Sequence, residues 1–247
     1  MTFPGIGPHL AIARPSVMRN LIDGFFHFKQ HVFPRERQLF RGLGTGQHPE
    51  ALFITCADSR IVPDLITQSR PGDLFVCRTI GNQIPAHGAT ADAGVASAIE
   101  YALEALEIRH IIVCGHSDCG AMKVVLHPEK AAGLPATGAW LKHAEAARSV
   151  VLKNYQDASD EVLLHMITEE NIIAQLQNLS THPSVAAKLA QGQLNLHGWH
   201  YHIHSGEIMS YDAKPRAFRP LQQDTTAGAA GSNSRSRFAR VSPGDAA

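Results

Sequence analysis

The chain has 247 residues, of which 44% are apolar and 18% charged, so it can build a substantial core and is not a wholly disordered polypeptide. Its 22 basic and 22 acidic residues leave no formal net charge, whereas a protein that binds nucleic acid by general electrostatics would carry a basic excess. No apolar run approaches the ~18 residues of a membrane span. The 4 cysteines are too sparse for a disulfide scaffold. With no export signal visible, we expect a reducing, cytoplasmic location.

Apolar spacing along the chain predicts helices that alternate with short buried strands. Helical spacing occurs in four segments, 18–33, 91–107, 140–152 and 161–179. Short apolar runs typical of buried strands occur at 51–56, 74–77 and 110–115. The alternating segment 194–204 and the run 208–212 predict a closing hairpin with an antiparallel edge. This order predicts an α/β fold with a central, mostly parallel β-sheet flanked by helices.

Two short motifs follow predicted strands and carry metal-binding side chains. Cys56 begins the first motif, Cys-Ala-Asp-Ser-Arg, and His116 and Cys119 enclose the second, His-Ser-Asp-Cys. Carboxyl ends of parallel strands meet at one edge of a sheet, so the motifs are expected to converge if their strands are neighbours. Two sulfurs and one imidazole suit Zn²⁺ and leave a fourth position open. A lone cysteine is more often a small buried apolar residue, so both interpretations stay open at this point.

The first motif also carries an acid and a base two residues apart. Asp58 and Arg60 can form a charge-assisted contact that fixes the carboxylate. Beside a metal-bound water, a fixed carboxylate accepts a proton or orients the water. The alternative is that Asp58 or Ser59 caps a helix that begins at Ile61. Asp118, between the second motif's two donors, is expected to be solvated or to cap the helix that follows.

The two motifs, in this order and at this spacing, resemble those of the β-class carbonic anhydrases, including plant-type members and bacterial members associated with cyanate breakdown. The similarity runs from about Met18 to Leu221 and includes the segments Pro-Gly-Asp-Leu-Phe-Val, Ile-Glu-Tyr-Ala and Cys-Gly-His-Ser-Asp-Cys-Gly-Ala-Met. It implies one domain over 18–221. Composition predicts the two ends: a Pro- and Gly-rich, flexible N-terminal lead over 1–17 and a polar, flexible C-terminal tail over 222–247.

The resemblance also implies an activity and a metal centre. Cys56, His116 and Cys119 would bind one Zn²⁺ per subunit, and Asp58 and Arg60 would lie beside the fourth ligand. The implied reaction is reversible hydration of carbon dioxide to bicarbonate and a proton, by attack of zinc-bound hydroxide. Gly115, just before the histidine ligand, would allow close packing.

Further expectations concern the substrate and the assembly. Gln47 falls where the family has a glutamine that donates a hydrogen bond to substrate. Phe75, Ile80 and Tyr101 fall where the family builds an apolar pocket for CO2. The helical arm near 18–33 would pack on a partner subunit, which implies a homodimer or a higher even oligomer, with no nucleic-acid partner.

Two other functions compete with CO2 hydration. The same scaffold supports hydrolysis of CS2 or COS, which the ligand residues do not exclude. A non-catalytic zinc-binding module is a third possibility and would have a closed fourth position. Asp58, Arg60 and Gln47 argue against such a module, because a purely structural zinc site does not need them.

Two other groups of residues are expected to be structural. His200, His202 and His204 alternate, so they share one face of a strand, and the matching family segment is structural. Cys114 lies inside a predicted strand and is expected in the core.

Overall fold

The computed structural model describes residues 17–89 and 93–223, and the chain divides into two units, Met1–Pro49 and Glu50–Ala247. The predicted lead (1–17), apart from Val17, lies outside the described residues. The predicted tail (222–247) also lies outside them, apart from its first two residues. The same holds for the first two residues of the helix predicted over 91–107. In the parts of the chain that are described, no helix combines the length and apolarity that crossing a bilayer requires.

The first unit is helical in its described part. Helix α1 spans Val17–His27 and continues into a π-helical turn, Phe28–Val32, and α2 spans Arg37–Leu43. No residue of α1 is buried, and the large apolar side chains on it, such as Leu21 and Phe25, are 62% and 57% exposed. This apolar surface is consistent with the predicted arm, whose packing on a partner stays a prediction.

The second unit is built on one six-stranded sheet. The strands are β1 (Ala51–Cys56), β2 (Leu74–Thr79), β3 (His110–His116), β4 (Asn195–Tyr201), β5 (Ile208–Asp212) and β6 (Ala217–Pro220). Their order across the sheet is β2-β1-β3-β4-β5-β6. The first four are parallel, and β5 and β6 add the antiparallel edge. The predicted α/β fold is therefore confirmed, with β6 as a strand that the sequence pattern did not predict.

Seven helices of the described part of this unit flank the sheet. They are α3 (Pro63–Thr67), α4 (Ala93–Glu100), α5 (Gly120–Leu126), α6 (Pro135–Trp140), α7 (Glu145–Asn154), α8 (Asp160–Ser180) and α9 (Pro183–Ala190). The α8 helix begins where the Ser159 hydroxyl accepts a hydrogen bond from the Val162 backbone N–H, with two acidic residues in its first turn. The helix predicted over 140–152 is instead divided by a 3₁₀ turn, Leu141–Ala144, between α6 and α7.

Strands β1 and β3 form the centre of the core because both of their faces are covered. Ile54 and Val113 face one apolar cluster, while Phe53 and Cys114 face another, and all four are fully buried. This two-sided burial explains why their sequences are continuous apolar runs rather than alternating ones. The prediction that Cys114 lies in the core is confirmed, and burial raises the pKa of its thiol to about 12.

Gly115 is a point of close contact between β3 and α8. A Cβ atom added at Gly115 would lie 2.9 Å from Ile172 Cδ1 and 3.0 Å from Ile172 Cγ1. Because Ile172 is fully buried and cannot move into solvent, Gly115→Ala is expected to lower the free energy of unfolding by about 1–3 kcal/mol. Urea unfolding monitored by circular dichroism, at one fixed protein concentration, measures this change.

Gly42→Ala is the matched control, because a Cβ added at Gly42 in α2 meets no heavy atom within 4 Å. Alanine is favoured over glycine in a helix, so this control should unfold at the same or a higher urea concentration than the wild type. Equal stability of the two variants would contradict the close contact at Gly115.

Candidate metal centre

The structure brings the two sequence motifs together at the carboxyl edge of the sheet. Strands β1 and β3 pair directly in parallel, and they end at Cys56 and His116. Cys119 follows three residues later, immediately before α5. The two sulfurs and one imidazole nitrogen all lie within 4.8 Å of one another, with the Sγ atoms 4.0 Å apart, and all three residues are buried.

A tight turn returns the chain from His116 to Cys119. Asp118 adopts a φ of 57°, a left-handed conformation that aspartate tolerates better than most residues. The turn is tied to the neighbouring strand because the Ser117 backbone N–H donates to the Tyr201 carbonyl at 2.9 Å. The Ser117 hydroxyl accepts from the Ile203 backbone N–H at 3.0 Å. These bonds fix the relative positions of the imidazole and the second sulfur.

The hydrogen bonds of His116 define which ring nitrogen is available to a metal. Its Nδ1 donates to the Ser117 carbonyl oxygen at 2.9 Å, and because a carbonyl can only accept, Nδ1 carries the proton. In the neutral imidazole, Nε2 is then the nitrogen with a free lone pair. That atom is buried and has no hydrogen-bond partner among the described residues, which is costly unless something else binds it. A metal ion would satisfy this nitrogen, and the Nδ1 bond orients the ring for one.

The two cysteines are electrostatically coupled. The hydrogen bond from Cys119 lowers the pKa of Cys56 to about 4 despite burial, and the Gly81 backbone N–H adds a further bond to Cys56 Sγ at 3.4 Å. The same pairing, together with burial, raises the pKa of Cys119 well above its ordinary value. The pair thus favours one thiolate and one shared proton, and a divalent cation bound by these donors would replace that proton. The donor set fits Zn²⁺.

A bidentate ion pair stands beside these donors. Arg60 Nε and Nη2 donate to the two carboxylate oxygens of Asp58 at 3.0 and 2.8 Å, and the Arg60 backbone N–H donates to Oδ1 at 2.9 Å. These bonds hold the pKa of Asp58 well below its usual range. Asp58 Oδ2 lies 3.7 Å from His116 Nε2. The helix-cap alternative is wrong, because α3 begins only at Pro63, and its N-cap, Val62, makes no side-chain cap bond.

The arginine is held from its other side by Asp118. Arg60 Nη1 donates to Asp118 Oδ2 at 2.9 Å and Nη2 donates to the Asp118 carbonyl at 3.1 Å. Lys123 forms a further ion pair with the same carboxylate. Of the two expectations for Asp118, solvation is confirmed, since its side chain is 55% exposed, whereas the cap is wrong, because Cys119 is the N-cap of α5. Asp118 therefore links the two motifs.

The predicted substrate residues are only partly brought together. The rings of Phe75 and Tyr101 lie 6.0 Å apart. Ile80 and Tyr101 are about half exposed, and the Ile80 carbonyl accepts a hydrogen bond from Trp140 Nε1 at 2.8 Å. Gln47 belongs to the first unit, so its place relative to the centre stays a prediction.

Comparisons with known proteins agree with this arrangement. A family model described as carbonic anhydrase matches residues 51–208. A carbonic anhydrase of Pseudomonas aeruginosa is 48% identical over 206 residues, which cover 83% of this chain and 93% of that protein. The solved structure of the β-carbonic anhydrase CcaA superposes with a TM-score of 0.81 at 49% identity, covering 83% of this chain and all of that one. The chain belongs to the β-carbonic anhydrase family.

The likeness extends to more distant β-carbonic anhydrases. A solved structure from Sordaria macrospora, described as one of two tetrameric β-carbonic anhydrases, is 27% identical with a TM-score of 0.72, over 78% of this chain and 95% of that one. The family resemblance carried by the two motifs is therefore confirmed, and this chain is a carbonic anhydrase.

A buried polar network that the sequence motifs did not reveal surrounds Gly81, the residue that binds Cys56 in this β-carbonic anhydrase. The carbonyl of Gly81 accepts hydrogen bonds from Gln83 Nε2 at 2.9 Å and Asn171 Nδ2 at 3.2 Å. Gln175 Nε2 in turn donates to Gln83 Oε1 at 2.9 Å. This network fixes Gly81, whose backbone N–H binds Cys56. The available signal was the pair Asn171 and Gln175, two polar residues four apart among apolar residues of α8.

Proposed function

We propose that this carbonic anhydrase hydrates CO2 reversibly to bicarbonate and a proton with one Zn²⁺ per subunit, held by Cys56, His116 and Cys119. The observation that carries the proposal is the bare, buried Nε2 of His116 beside two coupled cysteine sulfurs. Three such ligands leave one position of a tetrahedral site for solvent, as in catalytic rather than structural zinc sites.

The metal's contribution is to lower the pKa of water enough for a nucleophile to be available near neutral pH. Asp58 then determines how that nucleophile is oriented. Its carboxylate is ionised, so it only accepts hydrogen bonds, and it draws the proton of the nucleophile toward itself. This leaves an oxygen lone pair free to face the carbon of CO2. Because Arg60 holds both carboxylate oxygens, the orientation costs little entropy at the moment of reaction.

The proposed substrate contacts follow from the polarity of CO2. CO2 is apolar, and we infer that Phe75, Ile80 and Tyr101 provide an apolar surface where it binds before it reacts. Gln47 would donate a hydrogen bond to the oxygen on which negative charge develops during attack. Bicarbonate is charged, so an apolar surface holds it less well than water does, which favours its release.

The proposal includes a homodimer or a higher even oligomer. The exposed apolar residues of α1 support it, since Leu21, Ile22, Phe25 and Phe26 together would otherwise form an apolar surface in water. The tetrameric relatives from Sordaria macrospora support even oligomers as well. A cytoplasmic location stays a prediction, and it suits a centre whose two sulfurs must remain reduced.

A paired assay distinguishes CO2 hydration from the alternatives. Stopped-flow measurement of proton release from CO2 and a sulfide assay with CS2 and COS are run on the same preparation. We expect zinc-dependent CO2 hydration that chelation abolishes and added Zn²⁺ restores. Sulfide release without CO2 hydration would establish the hydrolase instead, and a zinc-loaded protein inactive on all three substrates would establish the non-catalytic module.

A further inference from the structure

A second cluster of metal-binding side chains lies between α8 and β4. His165 and Glu169 stand four residues apart on α8, so they share one face of the helix, and His200 faces them from β4. One donor atom from each of the three lies within 4.8 Å of the other two. His202 is a near neighbour, with its ring centroid 4.4 Å from that of His200 and 5.9 Å from that of His165.

The distances within this cluster resemble those between ligands of one metal ion. Glu169 Oε1 lies 3.4 Å from His165 Nε2 and 3.3 Å from His200 Nδ1. Charge-assisted N–H···O bonds are normally about 2.7–2.9 Å long, so both contacts are long for hydrogen bonds. Nitrogen and oxygen ligands at about 2.0–2.2 Å from a tetrahedral Zn²⁺ are separated by roughly 3.3–3.5 Å. Glu169 Oε1 is therefore as far from one nitrogen of each imidazole as two ligands of the same Zn²⁺ are from each other.

The environment of His200 also favours metal binding. Its side chain is fully buried, and its Nδ1 is the ring nitrogen that faces Glu169. Burial lowers the pKa of this imidazole, although Glu169 opposes the shift, so the neutral form that binds metals is favoured. His165 has a side chain that is 44% exposed, which gives an ion a path from solvent.

We propose that His165, Glu169 and His200 form a second metal site, for a divalent transition ion such as Zn²⁺, with His202 placed to complete its coordination. Imidazole and carboxylate donors suit Zn²⁺ and related borderline ions. The site shares no ligand with the Cys56–His116–Cys119 centre. A bound ion would link α8 to β4, the strand that pairs with β3 and its terminal His116.

Titration with Co²⁺ of protein loaded with only one equivalent of Zn²⁺ per chain, which the two thiolates of the cysteine centre take up, tests this site. We expect one Co²⁺ per chain, with visible d–d bands of nitrogen and oxygen coordination and without the sulfur-to-cobalt charge-transfer band that the cysteine centre would give. Co²⁺ should also raise the melting temperature. Both effects should disappear in His165→Ala and Glu169→Gln, whereas CO2 hydration should persist.

His204→Ala is the matched control, because His204 is an exposed histidine of the same segment outside the cluster. It should bind Co²⁺ as the wild type does. Equal binding by the wild type and all three variants, equal loss in His204→Ala and His165→Ala, or uptake only with the sulfur band would overturn the proposal. None of these outcomes bears on CO2 hydration, so the two proposals fail separately.

Discussion

Asp58→Asn is expected to lower kcat/KM for CO2 hydration by about 10²–10⁴-fold while zinc stays bound at the cysteine centre. Asparagine keeps the size of the side chain but replaces one acceptor oxygen with a donor group. It can no longer accept hydrogen bonds from both Arg60 nitrogens and also draw the proton of the nucleophile toward itself. Stopped-flow CO2 hydration and metal analysis of the same preparation measure the two quantities together.

Asp118→Asn is the matched control for this variant. Asp118 binds the same guanidinium, but its side chain is 55% exposed, and Arg60 keeps its bidentate contact with Asp58 when Asp118 is changed. We expect a much smaller loss of kcat/KM than in Asp58→Asn. Full activity of Asp58→Asn with zinc bound would show that Asp58 does not act on the reacting water. Loss of zinc together with activity would show that Asp58 instead helps to build the metal site.

Cys119→Ala is expected to abolish both zinc binding at the cysteine centre and CO2 hydration. The change leaves one sulfur and one imidazole, which are too few protein ligands to hold Zn²⁺ in a catalytic site. It also removes the hydrogen bond that keeps the pKa of Cys56 low, so the remaining thiol is harder to ionise. Metal analysis after dialysis, combined with the hydration assay, records both losses.

Cys114→Ala separates metal binding from general effects of losing a buried cysteine. Cys114 is fully buried on β3, two residues before His116, but it is not one of the three clustered donors. This control should retain zinc and activity with only a small loss of stability. Retention of zinc in Cys119→Ala, or its loss in Cys114→Ala, would contradict the assigned ligand set.

The parts of the fold that the sequence predicts are those with strong, local patterns. Strands β1 and β3 are continuous apolar runs because both their faces are buried, and α8 is long enough to show its periodicity. Helices α2, α6 and α9 were not predicted, since six to eight residues give little periodicity. The last two begin with a proline, which is a usable start signal.

In the candidate site, too, the features with a local sequence pattern could be predicted and the others could not. The three donors could be predicted because each lies at or just after the end of a recognisable strand. The contact of Arg60 with Asp118 joins residues 58 apart in sequence and depends on a left-handed turn, which no spacing reveals. The bond from Gly81 to Cys56 comes from a backbone N–H, so no side-chain motif encodes it.

X-ray absorption at the zinc edge, recorded on zinc-loaded His165→Ala, tests the central claim most directly. This variant leaves the cysteine centre as the zinc site to be observed. We predict a four-atom shell with two sulfurs at about 2.3 Å and two lighter atoms at about 2.0–2.1 Å, one of them the imidazole nitrogen of His116. A shell with no sulfur or with four sulfurs, or full CO2 hydration by protein that holds no zinc, would contradict it.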